Sequence, residues 1–175
     1  MKSEINVVLK KINVEKNNPA DIGLSNPAPS FRKRTFSIMK EHTTNYENTF
    51  IEVAADCPAS AGEKPPVKGD KRTVANIEFD LISKNPYKFT SDDVLFHVYA
   101  EKNDLTEAEL EGARKQFFSR GQACMRASPL TKRYGWGVHN DEKGKIAVFG
   151  MDSPEYEKFV NDSSLAKVKA MKSSR

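Results

Sequence analysis

Three things are scarce or missing in this chain, and each removes a class of protein. Cysteine occurs twice, at Cys57 and Cys124, with no C-x-x-C and no paired histidine spacing. That excludes a disulfide framework and a thiolate metal knuckle, and two reduced thiols in a cytoplasmic protein are the expectation. Long apolar runs are absent: nothing approaches the roughly 18 residues of a membrane span, and the patch Val7 to Leu9 is too short for the apolar region of a secretory signal. The third absence is local. Between Glu111 and Asp141 there is no acidic residue, although 24 of the 175 residues are Asp or Glu. That window holds Arg114, Lys115, Arg120, Arg126, Lys132 and Arg133, and a one-signed surface of this kind attracts anions.

The net charge of +4 does not describe a generally basic protein. Residues 1–38 carry seven Lys or Arg against three acids, which accounts for the whole excess. From Met39 onward the count is balanced at 21 against 21, but unevenly: residues 39–111 hold 8 basic and 15 acidic groups, residues 112–175 hold 13 and 6. Either the two halves neutralise each other, or the positive half meets an anionic partner.

Residues 1–38 read as a flexible basic extension, rich in Asn, Pro, Gly and Ser and ending in Phe31-Arg32-Lys33-Arg34. The segment reads either as an arm or as an upstream over-extension of a frame that starts at Met39. Residues 39–175 read as one globular α+β domain, an antiparallel sheet of about three to five strands packed against three to four helices. The first strand lies within Tyr46 to Ala54, and a Pro- and Gly-rich loop follows over 58–71. Lys68-Gly69-Asp70-Lys71 lacks the spacing of a phosphate loop. Thr73 to Ser83 fits both a helical and an alternating pattern; its length and Thr73 as N-cap favour helix. Thr90-Ser91-Asp92-Asp93 opens a second helix to about Lys102. A third starts at the capping box Thr106/Glu109, with Leu105 and Leu110 as staple, and stops at a left-handed Gly121. Three strands follow, Ala123 to Ser128, Tyr134 to His139 and Lys145 to Gly150, the last two joined across Asn140-Asp141-Glu142-Lys143-Gly144 as a hairpin. Asp152 or Ser153 with Pro154 then opens a helix to about Val160, and Leu165 to Met171 is left open between strand and helical turn.

The segments Thr43-Thr44-Asn45-Tyr46, Lys84-Asn85-Pro86-Tyr87-Lys88, Thr90 to Phe96 and Arg126 to Gly135 together resemble a small bacterial family classed as a domain of unknown function. The resemblance runs from about Met39 to the C-terminus. It implies no activity, cofactor or site residue.

Chemistry is therefore sought in the acid-free window. A strand at 123–128 would put Cys124, Arg126 and Ser128 on one face, with Arg126 favouring the Cys124 thiolate and Ser128 donating to a phosphate oxygen. Tyr134 and Trp136 share a face of the next strand, and Gly135, Gly137 and His139 share the other, leaving room for a flat ligand or a close backbone approach. The anion-binding set is Arg126, Ser128, Lys132, Arg133, Tyr134 and Trp136, backed by Lys167, Lys169, Lys172 and Arg175. Cys124 with His139 is the catalytic alternative, and a structural or protein-interaction domain is a third reading. Asp93, His97 and Glu101 line one helix face but lack a further ligand, so no metal and no cofactor is expected. The best reading is a small cytoplasmic binding domain for a phosphate-bearing or nucleotide ligand. Nucleic acid is disfavoured by the balanced charge beyond Met39.

Overall fold

The computed structural model describes residues 41–67, 69 and 71–173. The expected extension at 1–38 lies outside them. The chain order is β1 (Thr49–Glu52), α1 (Val74–Ser83), α2 (Ser91–Lys102), α3 (Leu110–Phe118), a 3-10 turn at Met125–Ala127, α4 (Pro129–Arg133), β2 (Trp136–Asn140), β3 (Ile146–Gly150), α5 (Pro154–Asn161) and β4 (Ala166–Lys169). The fold is α+β: a four-stranded mixed, mostly antiparallel sheet, ordered β3-β2-β1-β4, with five helices.

Local signals account for most of the helix starts. Thr73 and Thr90 each accept the N3 amide in a complete capping box, with Asn76 and Asp93 returning the bond. Ser153 caps α5 in front of Pro154. The hairpin β2–β3 is in register from Trp136 opposite Gly150 to Asn140 opposite Ile146. What periodicity left open at 165–171 is decided by pairing: β4 lies parallel to β1, with Ile51 opposite Val168. A parallel partner needs a crossover, and α5 supplies it between β3 and β4.

Alternation along these strands makes two faces. On one, Ile51, Val138, Val148 and Val168 stand abreast and pack with Leu81, Ile82, Val94, Met125 and Leu130 from the helical side. On the other, Phe50, Gly137, His139 and Phe149 meet α5, whose Tyr156 and Phe159 rings lie 5.0 Å and 5.3 Å from Phe50. A smaller cluster of Phe96, Leu110 and Phe118 joins α2 to α3, with Leu105 packed against it as the staple predicts.

The amino-terminal end of the described chain is clasped onto α2. Asp92 accepts from the Thr44 amide (2.8 Å), the Thr44 hydroxyl (2.7 Å) and the Thr43 hydroxyl (2.8 Å), while its own amide donates to Asn45 Oδ1 (3.0 Å). A carboxylate at a helix N-terminus is favoured by the helix dipole, and charge-assisted bonds are the strong ones.

Three expectations are corrected. Residues 123–128 are not a strand: Ala127 N donates to Cys124 O and Ser128 N to Met125 O, closing a 3-10 turn, and Pro129 then opens α4. Local bonds satisfy this backbone without a ladder partner, so the alternation of Ala123, Met125 and Ala127 carries no strand. Gly121 is not the left-handed stop, since the positive-φ glycines of the described chain are Gly69, Gly135 and Gly144. Helix α3 ends earlier, its free carbonyls taken by Ser119 Oγ (to Gln116 O, 2.7 Å) and Gln122 Nε2 (to Phe117 O, 2.5 Å). At its other end, Glu109 does reach back to Thr106 N (2.8 Å), but 106–109 is a separate turn and the helix starts at Leu110.

Replacing Asp92 with Ala should remove three buried or half-buried bonds at once. A loss of about 3 kcal/mol is expected in urea unfolding at pH 7. A loss below about 1 kcal/mol would show that the clasp contributes no more than an ordinary surface contact.

Candidate functional site

The 3-10 turn and α4 send the candidate residues in different directions. Met125 points into the core and is fully buried. On either side of it, Cys124 and Arg126 turn toward Tyr46: the phenol oxygen lies 3.7 Å from Cys124 Sγ. Arg126 Nε donates to Lys169 O (2.9 Å), and its backbone carbonyl accepts from Met171 N, so the turn also caps the end of β4. Burial raises the Tyr46 pKa, Cys124 raises it further, and the neighbouring Arg126 guanidinium opposes both. Tyr46, Cys124 and Arg126 therefore form one cluster at the sheet corner. Tyr46 was not singled out as a site residue from the sequence, where it stood at the start of a strand and in a segment of the family resemblance.

Ser128 does not join that cluster. Its hydroxyl is buried, donates to Glu78 Oε2 (2.5 Å) and accepts from Leu130 N (3.1 Å), where it caps α4. Glu78 is 1% exposed and no described Lys or Arg pairs with it. Desolvation lifts its pKa from 4.5 to about 7, against a smaller lowering by the Ser128 bond. The helical choice for 73–83 already contained this signal. Glu78 is four residues after Val74 and three before Leu81, on the apolar stripe.

Trp136 and Tyr134 serve the core. Both are half-buried against the main cluster, and Trp136 Nε1 donates to Glu63 O (2.8 Å) while its ring lies 5.1 Å from Phe79. The space beside the glycines is occupied by the chain itself. A Cβ on Gly137 would come within 2.6 Å of Phe50 and Tyr156 atoms, and one on Gly135 within 2.1 Å of Ala61 O. The close approach expected at these glycines is real, and its occupants are Tyr156 and the loop at Ala61.

His139 is on the α5 face, stacked on Phe159 at 4.2 Å, and its Nδ1 shares a hydrogen bond with Tyr87 OH (2.9 Å). Cys124 contacts Tyr46, which packs with the helical-side core. The structure does not bring Cys124 and His139 together. Tyr87, also missed from sequence, is held at φ 55°, a backbone state that bulky residues rarely adopt. Burial pushes the His139 pKa down, with Asp141 and Asp162 opposing, and pushes the Tyr87 pKa up, with Asp141 adding.

The acidic half neutralises part of the basic set. Arg114 bonds Asp93 (3.0 Å) and lies over the Phe96 and Phe118 rings; Lys115 bonds Glu111 (2.6 Å); Arg72 bridges Asp80 and Glu101. Arg126, Lys132 and Arg133 make no ion pair with a described carboxylate. Of the row on α2, Asp93 is committed to Thr90 and Arg114, and Glu101 to Arg72 and His97. Among the described residues no group of three or more His, Cys, Asp or Glu is arranged to hold a metal. An open cavity of about 380 Å3 lies beside α5, with Asp152, Pro154, Tyr156, Glu157 and Val160 in its walls. It contains none of the candidate residues, and its acidic rim repels anions. No helix of the described residues is long and apolar enough to cross a membrane.

A family model described as a family of unknown function, DUF6157, matches residues 41–175. No curated protein and no solved structure matches the chain.

Glu78 makes stability depend on pH with a defined sign. Its folded pKa is raised, so the stabilisation from the protonated carboxyl is fully present below about 4.5, declines above it and is gone once the pH passes about 7. At 1.36 kcal/mol per unit the loss is about 3 kcal/mol. Glu78→Gln should therefore match the native chain near pH 4.5 and exceed it by up to about 3 kcal/mol at pH 8. Urea unfolding of both across that range checks this, and parallel pH profiles would contradict it.

Proposed function

The chain belongs to DUF6157, a family of unknown function, and we propose from its own charge distribution that it is a small cytoplasmic binding domain for an anionic, phosphate-bearing ligand. The ligand is received on the face formed by Arg126, Lys132 and Arg133. The observation that carries this reading is that three cations within the eight residues 126–133 make no ion pair with a described carboxylate, in a stretch of sequence that holds no acid of its own. Carboxylates of the earlier half take up Arg72, Lys84, Arg114 and Lys115 but leave these three cations without a described carboxylate partner. Lys132 and Arg133 follow directly on Leu130 and Thr131, which are buried and anchor α4. Arg126 is fixed through Nε on Lys169 O, with its guanidinium also beside the Tyr46 hydroxyl. Two free thiols support the cytoplasmic assignment.

Ser128 and Trp136, engaged with Glu78 and Glu63, drop out of the contact set. The ligand then meets an open cationic surface instead of a pocket. Exposed ion pairs contribute about 0 to 1 kcal/mol each, so a small phosphate bound by three cations reaches millimolar affinity at best and is sensitive to salt.

Pyrophosphate titrated at low salt into the labelled protein should shift the backbone resonances of Arg126, Lys132 and Arg133, with a dissociation constant of about 1 mM. The triple change Arg126→Ala, Lys132→Ala, Arg133→Ala should weaken binding about tenfold or more. Absence of shifts at these residues at tens of millimolar pyrophosphate would refute the proposal. A steep salt slope with an oligonucleotide and no response to pyrophosphate would transfer the face to nucleic acid.

A further inference from the structure

Glu78 and Ser128 tie helix α1 to the turn that carries the basic face. Arg126 is two residues before Ser128, and Lys132 and Arg133 lie on the helix that Ser128 caps. The turn is short. Within it Ala127 N bonds Cys124 O, Ser128 N bonds Met125 O, Leu130 N bonds Ser128 Oγ, Lys132 N bonds Ser128 O and Thr131 Oγ1 bonds Met125 O and Ser128 O, while Ala54 N to Thr131 O and Met171 N to Arg126 O tie it to the sheet; on the α1 side Glu78 meets it through Ser128. The Glu78 carboxyl faces it from a fully enclosed position, and its one recorded bond is to a neutral hydroxyl.

The charged groups on the elements around Glu78 are engaged elsewhere. On α1, Asp80 bonds Arg72 and Lys84. On α2, Asp93 bonds Arg114, and His97 and Glu101 face each other and Arg72. On the 124–133 segment Arg126 holds Lys169 O, Arg133 is exposed and Lys132 is half-buried, neither with a described carboxylate partner. Strand β3 carries no charged residue. Burial and Ser128 alone displace the Glu78 titration. An ionised carboxylate enclosed with a single hydroxyl donor is far costlier than one in water, and the least disruptive relief is to part α1 from the turn and hydrate it.

We propose that Glu78 is a proton-operated latch on residues 126–133. Protonated, it holds Ser128 and keeps the turn closed; ionised, it drives a local opening that loosens the turn while the sheet stays folded. Because the same turn orders Arg126, Lys132 and Arg133, the latch regulates the anion face, a step that rests on the function proposed above. Anion binding favours the closed, protonated form, and by reciprocity a bound anion raises proton affinity at Glu78.

The latch is read without ligand, by amide hydrogen exchange corrected for the intrinsic pH dependence. In the native protein Leu130 and Lys132 should lose protection by on the order of 100-fold between pH 5 and pH 8, and at pH 8 should exchange faster than Val138 in β2. In Glu78→Gln the loss should vanish. In Ser128→Ala the two amides should exchange readily at both pH values. The latch is overturned if Glu78→Gln retains the native pH dependence, or if Leu130 and Lys132 follow Val138 throughout, which would mean global unfolding only. Sulfate, whose charge is constant over this range, tests the regulatory step: it should bind more tightly at pH 6 than at pH 8 in the native protein and equally in Glu78→Gln. Sulfate binding with no pH dependence in either protein sinks the regulation. No sulfate binding at all, with the exchange result intact, sinks the anion reading and leaves the latch standing.

Discussion

Burial of the sheet on both faces is the constraint from which the rest of the architecture follows. Phe50 and Ile51 are consecutive in β1, point to opposite sides, and are both fully buried. One side is covered by α1, α2 and α4, and the other by α5 with Tyr156 and Phe159. A strand enclosed on both sides cannot present a binding surface in its middle. The flat space beside Gly137 is therefore closed by Tyr156, whose hydroxyl also reaches back to accept from Val53 N at 3.0 Å. Any site must lie at the ends or corners of this sheet, and the Tyr46, Cys124 and Arg126 cluster lies at one of them.

The elements that sequence reasoning places correctly are those whose determinants lie within one turn of chain. Thr73, Thr90 and Ser153 announce three helices because each supplies the acceptor its own helix needs. The hairpin is announced in the same way by Asn140 to Gly144, with Gly144 at φ 69°. Residues 123–133 misled because their apolar alternation is compatible with a strand while Ser128-Pro129 is an equally local helix start, and the two signals conflict. Strand β4 was ambiguous because Ala166 to Lys169 has little apolar pattern of its own and takes its conformation from pairing with β1. Of the site, the cations were legible and their loneliness was not: whether Arg114 or Arg126 finds a carboxylate depends on which helices pack, and α2 brings Asp93 only to Arg114.

That distribution also explains how opposite charge in the two halves contributes to the fold. The Arg114 guanidinium lies 5.4 Å from the Phe96 ring centroid and 5.2 Å from that of Phe118, so its bond to Asp93 spans α2 and α3 over an aromatic floor. A half-buried pair of this kind is screened less than a surface pair and orients the two helices. Lys115 with Glu111 on one exposed helix does much less. The attraction between halves is thus concentrated at α2–α3, with the Arg72 pairs internal to the first half, and it fades toward α4.

Glu78 is the residue that structural economy explains least. Ser128 would cap α4 through its bond to Leu130 N with an apolar residue at position 78, and α1 would bury more apolar surface with Leu there. The enclosed carboxyl costs stability at neutral pH and supplies no bond that the cap requires. On the proposed latch, a position that is destabilising where a neutral side chain of similar size would not be, and that touches the turn bearing Arg126, Lys132 and Arg133, is accounted for by its proton. Ionisation changes the charge behind Arg126, Lys132 and Arg133 by one unit at a pH close to neutral, and no other enclosed group of the described chain does so beside that face.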